Sequence, residues 1–119
     1  MILVDSSVWI QHLRVGVPKL VDALNFGLVA VHPFVIGELA CGTLKARDAI
    51  LSDLEQLPQI DAAEHAEVIT LVERWKLAGS GIAWIDAHLL AAALIAGAEL
   101  WTLDRTLQNA WERLSAGRR

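Results

Sequence analysis

The chain has 119 residues, enough for one hydrophobic core and too few for two, so a single domain over residues 1–119 is expected. Its 55% apolar content and mean hydropathy of +0.44 are high, yet the longest apolar run, 89–98, is too short to cross a bilayer. One cysteine and four histidines provide neither an internal disulfide nor a set of zinc ligands. With a net charge of −4 and no signal-like start, a cytoplasmic protein is expected.

The first predicted element is a short strand, because Ile2, Leu3 and Val4 form an apolar run typical of the buried centre of a parallel sheet. Helical spacing and short apolar runs then alternate along the chain, with Pro18 and Pro33 each favouring the start of a helix. The predicted strands span 2–4, 28–31, 59–61 and 99–103. The predicted helices span 8–14, 19–25, 34–41, 45–57, 62–78, 82–96 and 106–114.

Strands that alternate with helices are typical of a parallel sheet covered by helices. The predicted fold class is therefore α/β, a three-layer α/β/α sandwich around a central parallel sheet of four or five strands. The helix over 82–96 is apolar nearly all round and is expected to be buried. Cys41 is interpreted as a small hydrophobic residue of the core.

Three carboxylates stand alone in uncharged, largely apolar stretches. Asp5 is the only formal side-chain charge within residues 1–13, Glu38 within 23–44, and Asp86 within 77–98. A fourth, Asp104, follows the last predicted strand. An unpaired carboxylate in an apolar setting is costly, so each needs a cap, a cation or an exposed position. Four unrelated caps and surface acids are one interpretation, and a pocket in which all four share a metal ion is the other.

The geometry of parallel sheets favours the shared pocket, because parallel strands end at a common edge, where binding and catalytic sites form. Asp5 and Asp104 both follow strands, so they are expected at that edge. Carboxylate clusters bind hard cations such as Mg²⁺, and the ion can activate water at a phosphodiester. Ser7, and Thr102 on the same side of its strand as Asp104, are candidate supporting hydroxyls or caps.

Four segments that carry these acids resemble the acidic motifs of the PIN-domain family and, more narrowly, of the VapC-type toxins of bacterial toxin–antitoxin pairs. They are VDSSVWI at 4–10, ELACG at 38–42, IDAHLLAAA at 85–93 and LWTLD at 100–104. The resemblance implies a Mg²⁺- or Mn²⁺-dependent endoribonuclease. The catalytic and metal-binding residues that it implies are Asp5, Glu38, Asp86 and Asp104, with Ser7 and Thr102 as supporting polar residues.

The resemblance also implies an RNA substrate, a homodimer, and a cognate antitoxin whose apolar helix binds a groove lined by the N-terminal helices. That antitoxin would also present an Arg to the acidic pocket. The chain departs from many relatives at Thr106 and Leu107, where they carry a further Asp and an aromatic residue, so a fifth acidic contribution is in doubt. An interface is also favoured by the apolar surplus and by five tryptophans, which are Trp9, Trp75, Trp84, Trp101 and Trp111.

An RNA- or protein-binding module that keeps the fold without turnover is the alternative. A phospho-receiver domain would need paired acids after the first strand and a late lysine, whereas this chain has Asp5-Ser6 and no Lys beyond Lys76. His88 is interpreted as an ordinary helix residue, because it does not face Asp86 on the helix. Basic residues that either contact phosphate or merely solubilise the surface are Arg14, Lys45, Arg47, Arg105, Arg118 and Arg119.

Overall fold

The N-terminal strand lies at the centre of the sheet in the computed structural model, which describes residues 1–118. Three strands pair in the order β2-β1-β3, and both pairings are parallel. Leu3 of the central strand lies opposite Ala30 on one side and Leu100 on the other. The strands are β1 (Ile2–Val4), β2 (Val29–Ala30) and β3 (Glu99–Trp101).

Seven α-helices lie within residues 1–118, and each corresponds to a predicted helix with shifted ends. They are α1 (Ser6–Val15), α2 (Pro18–Asn25), α3 (Pro33–Ala40), α4 (Arg47–Gln56), α5 (His65–Arg74), α6 (Trp84–Ala96) and α7 (Arg105–Ser115). A 3₁₀ helix over Ala116–Arg118 follows α7. In this described part of the chain, no helix combines the length and the apolar character needed to cross a membrane.

The predicted sheet of four or five strands is wrong, because residues 59–61 do not form a strand. Gln59 makes one isolated parallel bridge to Val31, held by hydrogen bonds from Val31 N–H to the Pro58 carbonyl and from Ile60 N–H to the Val31 carbonyl, each 2.9 Å. Pro58 has no N–H to extend the ladder, and Asp61 is exposed with no apolar side chain to bury. The ladder therefore ends after a single bridge.

Helix α5 is shorter than the predicted 62–78 because its ends are set by specific backbone features. At its start, the Glu67 carboxylate accepts a hydrogen bond from the Glu64 N–H at 2.9 Å, which satisfies a donor that the helix leaves free. At its end, Lys76 has a φ of 53°, a left-handed conformation that stops the helix. Apolar spacing alone does not reveal either limit.

Both faces of β1 are covered. Leu3 and Val4 point to opposite faces of the strand, and both are fully buried. The neighbouring strand behaves in the same way, since Val29 and Ala30 are each 1% exposed. Burial on both faces is what a sheet between two layers of helices requires, and it leaves the ends of the strands as the place for polar side chains.

One expectation for a single residue outside the acidic set is wrong. Cys41 is exposed rather than in the core, because it is the C-cap residue of α3 and lies past the last turn that packs inward. The error arises because a short apolar segment does not show which of its faces is buried. His88 is 5% exposed and packs among aromatic rings on α6.

Candidate active site

Asp5 is the first residue after β1, and its two carboxylate oxygens have different partners. Its backbone N–H extends the sheet by bonding to the Trp101 carbonyl at 2.9 Å, so the position of the residue is fixed by the strand pairing. Oδ1 accepts the Ser6 N–H at 2.7 Å and caps α1. The side chain is 6% exposed, so Asp5 is both a helix cap and a buried acid at the carboxyl edge of the sheet.

Two hydroxyl groups hold the other oxygen of Asp5. Oδ2 accepts hydrogen bonds from Thr102 Oγ1 at 2.7 Å and from Ser7 Oγ at 2.8 Å. Thr102 Oγ1 in turn accepts the Asp104 N–H, and Ser7 Oγ accepts the Leu103 N–H, each at 3.0 Å. The hydroxyls therefore tie the Asp5 carboxylate to the segment that leads into α7, where Asp104 lies. The structure thus brings Ser7 and Thr102 to Asp5.

Replacing Thr102 with Val is expected to lower the free energy of unfolding by about 1–3 kcal/mol, the usual cost of leaving a buried polar group without its partner. Val preserves the volume but leaves the Asp104 N–H unpaired and removes one donor to Asp5. Urea denaturation measures the loss. Thr102→Ser keeps both hydrogen bonds and should lose only about 0.8 kcal/mol for its methyl group. A Val variant as stable as the wild-type protein would show that the bridge contributes nothing.

Asp104 and Asp86 lie at the starts of helices. Asp104 is the exposed N-cap of α7, and its Oδ1 accepts the Leu107 N–H at 2.9 Å. Asp86 is half-buried in the first turn of α6, where its Oδ2 accepts the Ala83 N–H at 3.3 Å. Both carboxylates therefore face the positive end of a helix dipole. The cap interpretation holds for each, but it does not exclude a shared site, because the second oxygen of each remains available.

Glu38 is the one acid of the four that caps nothing. It is exposed on α3, in the last turn of the helix, which ends at Ala40. Its carboxyl lies close enough to Asp5 and Asp86 for both to raise its pKa by repulsion, and the nearby Ser6 side chain opposes that rise. Ser6 was missed as a site residue, because in the sequence it looks only like a cap.

Electrostatic coupling links the four acids into one group. Although Glu38 is exposed as a residue, neighbouring atoms partly exclude water from its carboxyl, and this desolvation raises the pKa above its usual value; repulsion from Asp5 and Asp86 raises the pKa further. Burial likewise raises the pKa of Asp86, repulsion from Asp5 and Asp104 adds to the rise, and the hydrogen bond from Ala83 opposes it. Each of the four acids therefore acts on at least one other. Within residues 1–118, none of them is paired with a Lys or Arg side chain.

Comparison with known proteins identifies the family of the chain. Residues 2–111 match the model of the PIN domain. The chain is a PIN-domain protein of the VapC type. It is 48% identical over 111 residues to Ribonuclease VapC32 of Mycobacterium tuberculosis, in both strain CDC 1551 / Oshkosh and strain ATCC 25618 / H37Rv, and the match covers 92% of this chain and 90% of each relative.

The acids of this PIN domain do not form a finished metal cage. Among the described residues, no three carboxylate, histidine or cysteine side chains already surround a common metal position. The donors nevertheless fit a hard cation, because they are oxygen atoms that repel one another and lack a cationic partner. Mg²⁺ needs only one or two direct carboxylates and keeps several waters, so a pre-formed cage is not required. The donor set therefore fits Mg²⁺ or Mn²⁺ better than zinc.

The candidate phosphate-binding residues divide by position. Arg14 and Lys45 line a groove that also contains Glu38, so they lie on the acidic side of the PIN domain. Arg47 donates a hydrogen bond to the Ala40 carbonyl at 2.5 Å. Arg118 bonds to the Ala98 carbonyl at 3.0 Å, just before β3, and therefore lies at the edge of the sheet opposite to the acids. Arg119 lies outside the described residues.

Aromatic rings next to the acids were not predicted as part of the site. Trp84 opens α6 two residues before Asp86. It contacts the exposed His65 on one side, and on the other side three ring contacts lead inward to His32. The ring centroids are 5.1 Å apart for His65 and Trp84, 4.7 Å for Trp84 and His88, 4.7 Å for His88 and Phe34, and 4.9 Å for Phe34 and His32. The signal in the sequence was a tryptophan at a helix start beside an isolated acid.

The inner end of this row of rings is neutral. His32 is fully buried, and burial, followed by repulsion from His88, lowers its pKa to about 4. Its Nδ1 accepts the Phe34 N–H at 2.9 Å and caps α3, the helix that carries Glu38. Burial followed by repulsion from His65 also lowers the pKa of His88. His32 and His88 therefore behave as packing rings near neutral pH and bring no positive charge to the acids.

Proposed function

We propose that this protein is a metal-dependent endoribonuclease that acts as the toxin of a type II toxin–antitoxin pair. The observation that carries the proposal is the coupling of Asp5, Glu38, Asp86 and Asp104 at the carboxyl edge of the sheet. A relative named as a ribonuclease, 48% identical over 92% of the chain, supports the choice of RNA as the substrate. On this proposal the four acids are the catalytic and metal-binding residues, and the cofactor is Mg²⁺ or Mn²⁺.

When bound, the ion would supply an activated water and positive charge at the phosphodiester. The residues of the chain supply the placement. Asp5 is held rigidly by the hydroxyls of Ser7 and Thr102, so its carboxylate presents a fixed oxygen. Glu38 caps no helix, so its carboxylate is not already used by backbone N–H groups. Asp86 and Asp104 are oriented by backbone N–H groups of their own helices, which leaves their negative charge directed toward the same edge.

Cleavage of a labelled single-stranded RNA by the purified protein tests this proposal. Activity should require added Mg²⁺ or Mn²⁺ and stop when EDTA is added, because the four acids alone repel a phosphodiester. A protein that binds RNA in a metal-dependent way but never cuts it would favour the alternative, a binding module without turnover. Cleavage that persists in excess EDTA would show that the chemistry lies outside the four acids.

A second part of the proposal is a protein antitoxin that binds a groove beside the acids. The α1–α3 groove, of about 740 Å³, is bordered by exposed apolar side chains of α1, namely Ile10, Leu13 and Val15, which are 46%, 38% and 71% exposed. Such a groove suits an apolar helix from a partner. Glu38 also lines it, so an Arg on that partner could pair with the acids. Co-purification with the product of the adjacent small gene tests this.

Self-association into a homodimer is the last part of the proposal. Exposed apolar side chains remain on the α5 and α6 side of the domain, where Ile69 is 38% and Ile95 is 62% exposed. Apolar surface of this kind is favoured in the cores of homodimer interfaces. Trp9 and Trp111 belong to the hydrophobic core, so they offer less surface to an interface than the number of tryptophans suggested. Light scattering at increasing protein concentration measures the mass of the species formed.

A further inference from the structure

The surface beside the acids has an aromatic side chain that the proposed chemistry does not use. Trp84 is 42% exposed, and it begins α6, the helix that carries Asp86. Of the Phe and Trp side chains in residues 1–118, only Trp84 and Phe26 are exposed. Phe26 lies between α2 and β2, at the amino edge of the parallel sheet, whereas the acids lie at the carboxyl edge. Among the described residues, Trp84 is thus the one exposed Phe or Trp on an element of the site.

A shallow groove lies between Glu38 and the rings that support Trp84. The α3–α6 groove, of about 490 Å³, is lined by Pro33, Phe34, Gly37, Glu38, Cys41 and Ile85. Glu38 and Phe34 are four residues apart on α3 and therefore lie on the same side of the helix. The ring of His88 lies between those of Phe34 and Trp84, with a centroid distance of 4.7 Å to each. The groove therefore leads from an acid of the site to the rings that support Trp84, and its volume is in the range of small-molecule sites.

The indole is braced from the protein side. His88 meets it at an interplanar angle of 88°, and His65 lies against it at 51° with centroids 5.1 Å apart. Because His88 is buried and Trp84 begins a helix, little side-chain freedom is left to lose when a ligand binds. A rigid, exposed aromatic face beside a phosphodiester-binding site is the arrangement by which proteins hold an unpaired base.

We propose that Trp84 is a stacking platform for one unpaired base of the RNA next to the scissile phosphate, with the α3–α6 groove receiving the neighbouring part of the strand. This inference rests on the proposed nuclease function and narrows its substrate to single-stranded or loop RNA. Bases of a regular duplex are stacked on each other and do not present a free face to an indole. Trp84 is a positioning residue, because it contacts a base and not the reacting phosphate.

The test compares Trp84→Leu, Trp84→Phe and Phe26→Leu in binding and in cleavage. Leucine keeps apolar contact with His88 but has no aromatic face, phenylalanine keeps the face, and Phe26→Leu makes the same change at the opposite edge of the sheet. Binding is measured by the anisotropy of a fluorescein-labelled single-stranded oligoribonucleotide and of the same sequence as a duplex. Trp84→Leu should weaken single-strand binding about 5- to 150-fold, the range for loss of one stacking side chain. Trp84→Phe should largely restore it, and Phe26→Leu should match wild type.

Cleavage kinetics with Mg²⁺ separate positioning from chemistry. Trp84→Leu should raise KM by a similar factor with a smaller change in kcat, and the duplex should show no such dependence on Trp84. The inference is wrong if Trp84→Leu binds the single strand and cleaves it with an affinity and a KM within twofold of wild type. It is also wrong if Trp84→Leu alters only the self-association of the protein or its binding to a co-expressed protein. Loss of single-strand binding in a protein that never cleaves RNA would instead support the platform and refute the nuclease proposal.

Discussion

Asp5→Asn should lower the rate of RNA cleavage about 100-fold or more while leaving the fold intact, a change measured from initial rates with saturating Mg²⁺. The loss follows from charge, because an amide oxygen is a weaker ligand for a hard cation than a carboxylate. The fold should survive, since Asn is also a good N-cap and can still accept the Ser6 N–H. Ser7 and Thr102 can rotate their hydroxyls to accept from the new amide.

The matched control is Asp53→Asn, which makes the same change at an exposed acid on α4, away from the carboxyl edge of the sheet. Its cleavage rate should equal that of the wild-type protein. Circular dichroism and urea denaturation of both variants check that the fold is retained. If Asp5→Asn cuts RNA as fast as Asp53→Asn, the carboxylate of Asp5 is not part of the active site, whatever the activity of the wild-type protein.

Much of the fold was predictable because its helices carry strong local signals. Pro18 and Pro33 stand at the starts of α2 and α3, and Gly16 and Gly97 end α1 and α6, as expected from residues that start and stop helices. The strands were less predictable. Whether residues 59–61 form a strand depends on how far they pair with the segment at Val31, and Pro58 has no N–H to offer. A short apolar run in the sequence does not show how far that pairing extends.

The candidate site was also predictable only in part. Isolated acids could be found in the sequence because charges are absent around them, and parallel topology then brings Asp5 and Asp104 to one edge. The hydrogen-bond partners of those acids could not be predicted in detail. Thr102 links the Asp104 N–H to the Asp5 carboxylate, and Thr102 and Asp5 lie 97 positions apart in the sequence. The place of Trp84 was also missed, because exposure is a property of packing and not of residue type.

The metal-free protein should be stabilised by added Mg²⁺ or Mn²⁺, because an ion that binds only the folded chain shifts the equilibrium by mass action. At a concentration about 100 times the dissociation constant the gain is about 2.7 kcal/mol, which for a domain of this size raises Tm by about 10 °C. The gain should disappear in the double variant Glu38→Gln/Asp86→Asn, and calorimetry measures it. The matched control, Glu55→Gln/Asp53→Asn on α4, should keep the full rise in Tm.

The pH dependence of this stabilisation follows from the raised pKa values of Glu38 and Asp86. Folding raises both, so the folded metal-free protein binds protons more tightly than the unfolded chain, and these two groups destabilise the fold as the pH rises through their raised values. A cation removes that repulsion but competes with the same protons. The metal-induced rise in Tm should therefore be larger at about pH 7.5 than at about pH 5. A rise that is independent of pH, or that persists in the double variant, would place the ion at other ligands.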